Sequence, residues 1–173
     1  RKIPEIKKVF VTSGIRHDMV VQDKNYGLAY LTQIVNHHTS GQLKIAPEHI
    51  SPAVLKLMAK PGPDYLLDFK REFDRLSRIA GKKQFLTYYF IAAHPGCEYE
   101  QMRDLRRFVI TKLRILPEQV QIFTPIPSTD SALMYYTETD PATGNKIYVE
   151  KNLRAKTRQK EALVYHPNTN GVK

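Results

Sequence analysis

The chain has 173 residues, an apolar fraction of 42%, a charged fraction of 25% and a formal net charge of +10 from 27 basic and 17 acidic residues. These proportions exclude general disorder and allow one domain with a sizeable core. No apolar run reaches the roughly 20 residues of a membrane-spanning helix, and the N-terminal stretch lacks the apolar centre of a signal peptide, so a cytoplasmic location without membrane contact is expected. The single cysteine, Cys97, excludes an intramolecular disulfide and a cysteine-only metal or cluster site built from this chain alone. The cationic surplus suits a nucleic acid, a phosphorylated ligand or an anionic surface without choosing among them, and much of it falls on helix faces, where solvated surface is the ordinary reading.

The first strand is expected at Lys8-Val-Phe-Val-Thr-Ser13, short, β-branched and ended by Gly14. A helix capped by Asp23 follows to about His37, with Leu28, Leu31, Ile34 and Val35 inward. Leu43 to Pro47 forms a second strand, and Ser51-Pro52 opens a short helix. Asp64 caps a longer helix with Leu66, Phe69, Phe73, Leu76 and Ile79 on one face, stopped at Gly81. Gln84 to Ala93 is apolar on both faces, as suits the middle of a parallel sheet. It breaks at His94-Pro95-Gly96, and a helix with Met102, Leu105, Val109 and Leu113 inward follows. A fourth strand spans Gln119 to Thr124. Strands alternating with helices predict an α/β fold with a parallel sheet and right-handed crossovers. Beyond it, Asp140 to Gly144 is a turn between Tyr-rich segments, Lys151 to Val164 is a basic helix with Leu153 and Leu163 as apolar contacts, and His166 to Lys173 is expected to fray.

Each strand runs into a polar loop: Ser13 to Asp18, Pro47 to His49, His94 to Cys97, and Thr124 to Thr129. Parallel α/β sheets gather ligands at this rim. Arg16 suits a carboxylate or phosphate, or an ion pair with Asp18 or Glu48. Glu48 suits ligand hydroxyls, or capping of the Ser51 helix. Cys97 as a nucleophile lacks a base nearby in sequence. A metallohydrolase built on His17, Asp18, His49 and His94 lacks ligand pairs at metal-binding spacing, so no metal site is expected. No dinucleotide fingerprint, phosphate-binding Walker loop or nucleophile elbow occurs.

The segments Lys7-Lys-Val-Phe-Val-Thr-Ser-Gly-Ile-Arg-His-Asp18, Leu43-Lys-Ile-Ala-Pro-Glu-His49, Val54-Leu-Lys-Leu-Met-Ala-Lys-Pro61, Tyr89-Phe-Ile-Ala-Ala-His-Pro-Gly-Cys97 and Pro117-Glu-Gln-Val-Gln-Ile-Phe-Thr-Pro125 resemble the YgiQ family of radical SAM proteins. The likeness runs from about residue 5 to about 163. It implies that residues 1–127 are the C-terminal portion of a partial barrel, about four of its parallel strands, and that residues 128–173 begin an irregular C-terminal extension. It implies S-adenosylmethionine and a four-iron four-sulfur cluster as cofactors of the longer protein, with reductive cleavage of S-adenosylmethionine as its activity. The family's Cys-x-x-x-Cys-x-x-Cys loop is absent from this chain, so the cluster ligands would lie elsewhere in the polypeptide and the chain alone is expected to be inactive. By the same resemblance Ser13, Arg16, Glu48, His49, His94 and Thr124 are candidate cofactor contacts. The upstream part of the same polypeptide is an expected partner, with self-association through an open sheet edge when it is missing. The rival reading is a basic module that binds nucleic acid through its helices and through Tyr135, Tyr136 and Tyr148.

Overall fold

The computed structural model describes residue 3, residues 5–117 and residues 119–164; the expected fraying of His166 to Lys173 lies outside them. The helices are α1 (His17–Gln22), α2 (Gly27–Gln33), α3 (Pro52–Leu57), α4 (Asp64–Ile79), α5 (Tyr99–Phe108), α6 (Asp130–Thr137) and α7 (Leu153–Val164), and π-helical turns extend α2 over Ile34–His38 and α5 over Val109–Leu113. The strands β1 (Gln42–Glu48), β2 (Phe85–Ala92) and β3 (Gln119–Ile122) pair in the order β1-β2-β3 in an open parallel sheet. The α/β class with helices between parallel strands is as expected. Among the described residues no helix is long and apolar enough to cross a membrane.

The chain divides into two compact units, residues 1–48 with 61–89 and residues 49–60 with 90–173, and β2 starts in the first and ends in the second. In the first unit α1 packs on α2 and α4. Its core holds Leu31, Val35, Leu43, Ile45, Phe69 and Phe73. The apolar period of α4 works as expected, because Leu66, Phe69, Phe73 and Leu76 recur every three or four residues and all are buried. In the second unit α7 packs on α5 and β3. The α5 face of Met102 and Leu105 continues through Val109 and Leu113, and Gln101 accepts a hydrogen bond from the Glu98 N–H at 3.0 Å to fix the start of α5.

Several local expectations are corrected. Lys8 to Ser13 forms no strand and joins no ladder: Val11 N–H donates to the His38 carbonyl at 2.9 Å, and among the described residues the sheet pairing of this stretch is a single parallel bridge from Ile15 to Ile45. Its β-branched residues favour extension, yet Val9 and Phe10 remain 52% and 42% exposed, so no packing rewards a ladder. The helix expected from Asp23 to about His37 is α2 with its π turn, starting at Gly27, and a helix that was not expected, α1, precedes it; Asp23 accepts from the N–H groups of Asn25 and Tyr26 in the turn between them. Leu28, Ile79 and Leu153, expected inward, are 55%, 71% and 71% exposed. All three stand within a residue of a helix terminus, where the side chain projects past the packed face. In β2 only Leu86, Tyr88, Phe90 and Ala92 are buried, whereas Thr87, Tyr89 and Ile91 are half-buried, so one face is closed and the other partly open. The first Tyr-rich segment is helix α6, with Thr129 Oγ1 accepting from Ala132 N–H at 3.1 Å as its cap. The turn at Asp140 to Gly144 closes an antiparallel bridge between Thr139 and Lys146.

Candidate functional site

Of the six candidate residues, Ser13, Arg16 and Glu48 belong to the first unit and His49, His94 and Thr124 to the second. In the first, Ile15 N–H donates to the Lys44 carbonyl at 3.0 Å, which ties the Ser13 to Asp18 loop to β1. Arg16 grips Asp18 bidentately, Nε to Oδ1 at 2.9 Å and Nη2 to Oδ2 at 2.6 Å. Burial pushes the Asp18 carboxyl up, but the Arg16 hydrogen bonds and charge, helped by His17, outweigh it and hold the group below the usual carboxylate range. The Asp18 hydrogen bonds and charge in turn raise Arg16, with Glu48 adding to the effect. The Arg16 guanidinium stays half-exposed, with N–H groups to spare for an anion. Ser13 is exposed. Glu48 closes β1 with φ of 65°, a left-handed conformation unfavourable for a residue with a side chain.

In the second unit His49 is buried and both its ring nitrogens are engaged. Ser51 N–H donates to Nδ1 at 2.9 Å, so the proton of the neutral ring is on Nε2, which faces Cys97 Sγ at 3.5 Å. Burial, with some help from His94, pushes His49 down to about 3, and burial pushes the Cys97 thiol up to about 12. The missing base is therefore present in space but in the wrong tautomer, offering Cys97 a proton instead of accepting one. Thiol reagents should label Cys97 about 1,000-fold more slowly in the folded protein than after unfolding at pH 8; comparable rates in a stopped alkylation assay would contradict this.

His94 is also buried and occupied. Its Nδ1–H donates to the Pro95 carbonyl at 2.8 Å, leaving Nε2 to accept from Ser131 Oγ at 2.8 Å. Phe123 packs edge-on against the ring at 5.1 Å between centroids. The Ser131–His94 contact has the shape of a nucleophile and base, but burial lowers His94 to about 4, too weak a base at neutral pH. Thr124, at the end of β3, is exposed, its hydroxyl 3.5 Å from the Ile122 carbonyl.

The residue that organises this cluster is Gln159, which sequence reading missed. From α7 its Oε1 accepts from Ala93 N–H at 3.0 Å and lies 3.5 Å from Cys97 Sγ, and its Nε2 donates to the Cys97 carbonyl at 3.1 Å. It thus holds both ends of the turn from Ala93 to Cys97, in which Ala93 (φ 58°) and Gly96 (φ 81°) are left-handed. A Cβ on Gly96 would meet Leu57 Cδ1 at 2.3 Å, so the turn and α3 approach as closely as glycine allows. Lys156, Gln159 and Leu163, three and four residues apart, form the buried face of α7, and with two polar members out of three that spacing offers no apolar period to read. Lys156 fits there because its ammonium donates to Tyr135 Oη at 2.9 Å and lies 4.5 Å from that ring's centre. Among the described residues no three His, Cys, Asp or Glu side chains converge to hold a metal ion.

No family model matches the chain. A UPF0313 protein of Fusobacterium nucleatum is 55% identical over 163 residues, 94% of this chain and 29% of that protein. A UPF0313 protein of Thermotoga petrophila is 44% identical over 165 residues, 95% of this chain and 29% of its own length. One from Clostridium perfringens is 42% identical over 165 residues, covering 95% of this chain and 24% of the relative. The chain is thus similar over nearly its whole length to UPF0313 proteins and spans less than a third of the length of these curated relatives, whose name states no activity.

Proposed function

We propose that this chain is part of a radical SAM protein and forms a wall of its S-adenosylmethionine site, with the activity residing in a longer polypeptide. The carrying observation is that β1 and β2 both pass at their carboxyl ends into a non-glycine residue in the left-handed region, Glu48 at φ 65° and Ala93 at φ 58°. Such conformations cost about 1–3 kcal/mol each and concentrate where backbone is shaped for a ligand, and the carboxyl ends of parallel strands are where α/β sheets bind one.

The cluster does not fit the residues present. Its ligands are thiolates, and the one cysteine is buried, with a thiol pushed up to about 12 and enclosed by His49, Glu98 and Gln159. S-adenosylmethionine fits better, through Arg16 for a carboxylate and Glu48 for an amine or hydroxyl. His49 and His94 would act through the backbone they fix, since their ring nitrogens are taken. Ser13 and Thr124 remain available as exposed hydroxyls, and the rest of the longer polypeptide is the proposed partner of the open sheet edges, where isolated chains would self-associate.

The test uses the longer Fusobacterium nucleatum relative, reconstituted anaerobically with iron and sulfide, reduced and supplied with S-adenosylmethionine. The expected product is 5′-deoxyadenosine, and alanine at the positions matching Arg16 and Glu48 should raise the apparent KM for S-adenosylmethionine about tenfold, a loss of about 1.4 kcal/mol for a charge-assisted contact. A reducible cluster that never yields 5′-deoxyadenosine would overturn the proposal.

A further inference from the structure

The first unit carries a groove of about 630 Å³ between residues 6–10, the π turn after α2 and the loop before β2. Lys7, Lys8, Lys82 and Lys83 line it, and no aspartate or glutamate does among the described residues. Elsewhere in this unit three of the four cations of α4 are neutralised by neighbours, Lys70 by Asp74, Arg71 by Asp68 and Arg75 by Glu72. The groove lysines are spent differently. Lys82 donates to the carbonyls of Val35 and Asn36 at 3.2 and 2.5 Å and so braces one wall, while the exposed Lys7, Lys8 and Lys83 form no ion pair among the described residues. Phe10, 42% exposed, adds an aromatic surface to the same groove.

We propose that this groove binds a single strand of nucleic acid, with Lys7, Lys8 and Lys83 on successive phosphates and Phe10 stacked on a base. Unneutralised cations beside an exposed ring are what a sequence-tolerant strand-binding groove needs. Concavity argues against a bilayer, which is met by a flat amphipathic face. None of these residues is a strand-end candidate, so the inference stands apart from the reading above.

The test is fluorescence anisotropy of the full chain with a labelled oligouridylate of about 12 nucleotides. Affinity should fall steeply between about 50 and 200 mM salt. The triple variant Lys7→Glu, Lys8→Glu, Lys83→Glu should bind at least tenfold more weakly, and its log–log salt slope should shrink by about 2, at about 0.7 per lost phosphate contact. Phe10→Ala should cost about tenfold without changing the slope. A charge-matched control, Lys112→Glu, Lys146→Glu, Lys160→Glu, should bind as the parent does. Circular dichroism checks the fold of each variant, and a Lys→Gln triple at positions 7, 8 and 83 repeats the test without added acids. The proposal is overturned by absence of salt-sensitive RNA binding at low salt, by equal losses in the two Lys→Glu triples, or by groove-dependent binding of an acidic peptide or anionic vesicles in place of RNA.

Discussion

Acidification should destabilise the protein from about pH 6 downward, well before carboxylates of ordinary pKa take up protons. His49 and His94 are buried and neutral, pushed down to about 3 and about 4, whereas in the unfolded chain each titrates near 6.5. Between those values the unfolded state binds protons that the folded state refuses. The stability is therefore whole above pH 6.5 and is lost as pH falls toward the folded values, with a slope of about 1.4 kcal/mol per pH unit for each histidine. Asp18 adds a loss of the same sign at lower pH, since its carboxyl is held below the usual range and Arg16 loses its partner when it protonates. Together the two histidines remove about 6 kcal/mol by pH 4, enough to bring unfolding there when the total stability lies near the low end of about 5–15 kcal/mol. Urea melts at pH 7, 6, 5 and 4 measure the slope. His49→Gln and His94→Gln should each flatten it by about one proton whatever they do to stability at pH 7. A stability that is level from pH 7 to pH 5 would contradict the assignment of both rings as neutral.

Gln159→Leu should cost about 4 kcal/mol, the largest single loss expected in the second unit. The replacement keeps the volume but leaves Ala93 N–H and the Cys97 carbonyl buried without the partners that Gln159 supplies. Each such orphan costs about 1–3 kcal/mol, and the left-handed turn between them loses what holds its shape. Arg154→Leu, five residues earlier on α7 and exposed, should change stability by less than about 0.5 kcal/mol. The same Gln159→Leu variant should expose Cys97 to alkylating reagents sooner, because the turn opens at lower free energy. Equal denaturation midpoints for Gln159→Leu and Arg154→Leu would show that the glutamine is a bystander.

How far the sequence disclosed this arrangement depends on what each signal measures. Hydrophobic period reports the buried stripe of a helix, so α4 was legible from Leu66, Phe69, Phe73 and Leu76, and failed only at Ile79, where the helix stops and burial stops with it. β propensity reports readiness to extend, but a ladder needs a neighbour; Lys8 to Ser13 forms no strand, and pairing shrinks to the Ile15–Ile45 bridge. At the strand ends the residue types were visible and their states were not. Arg16 with Asp18 was one of the alternatives that local spacing offered, and the bidentate geometry shows it, with the guanidinium still half-exposed. The pairing of His49 with Cys97 spans 48 residues and Gln159 reaches Cys97 across 62, distances at which neither spacing nor composition carries information. A polar residue on a basic helix reads as surface, and only the fold shows that Gln159 faces inward.

His49 and His94 act as structural props, their ring nitrogens taken by Ser51, Cys97, Pro95 and Ser131, not as acid–base groups. Two-bond ¹H–¹⁵N spectra of the imidazole nitrogens, assigned with the His49→Gln and His94→Gln variants, test this directly. At pH 5 two neutral rings are expected, His49 protonated on Nε2 and His94 on Nδ1. Imidazolium signals from either residue at that pH, or the opposite tautomers, would contradict it.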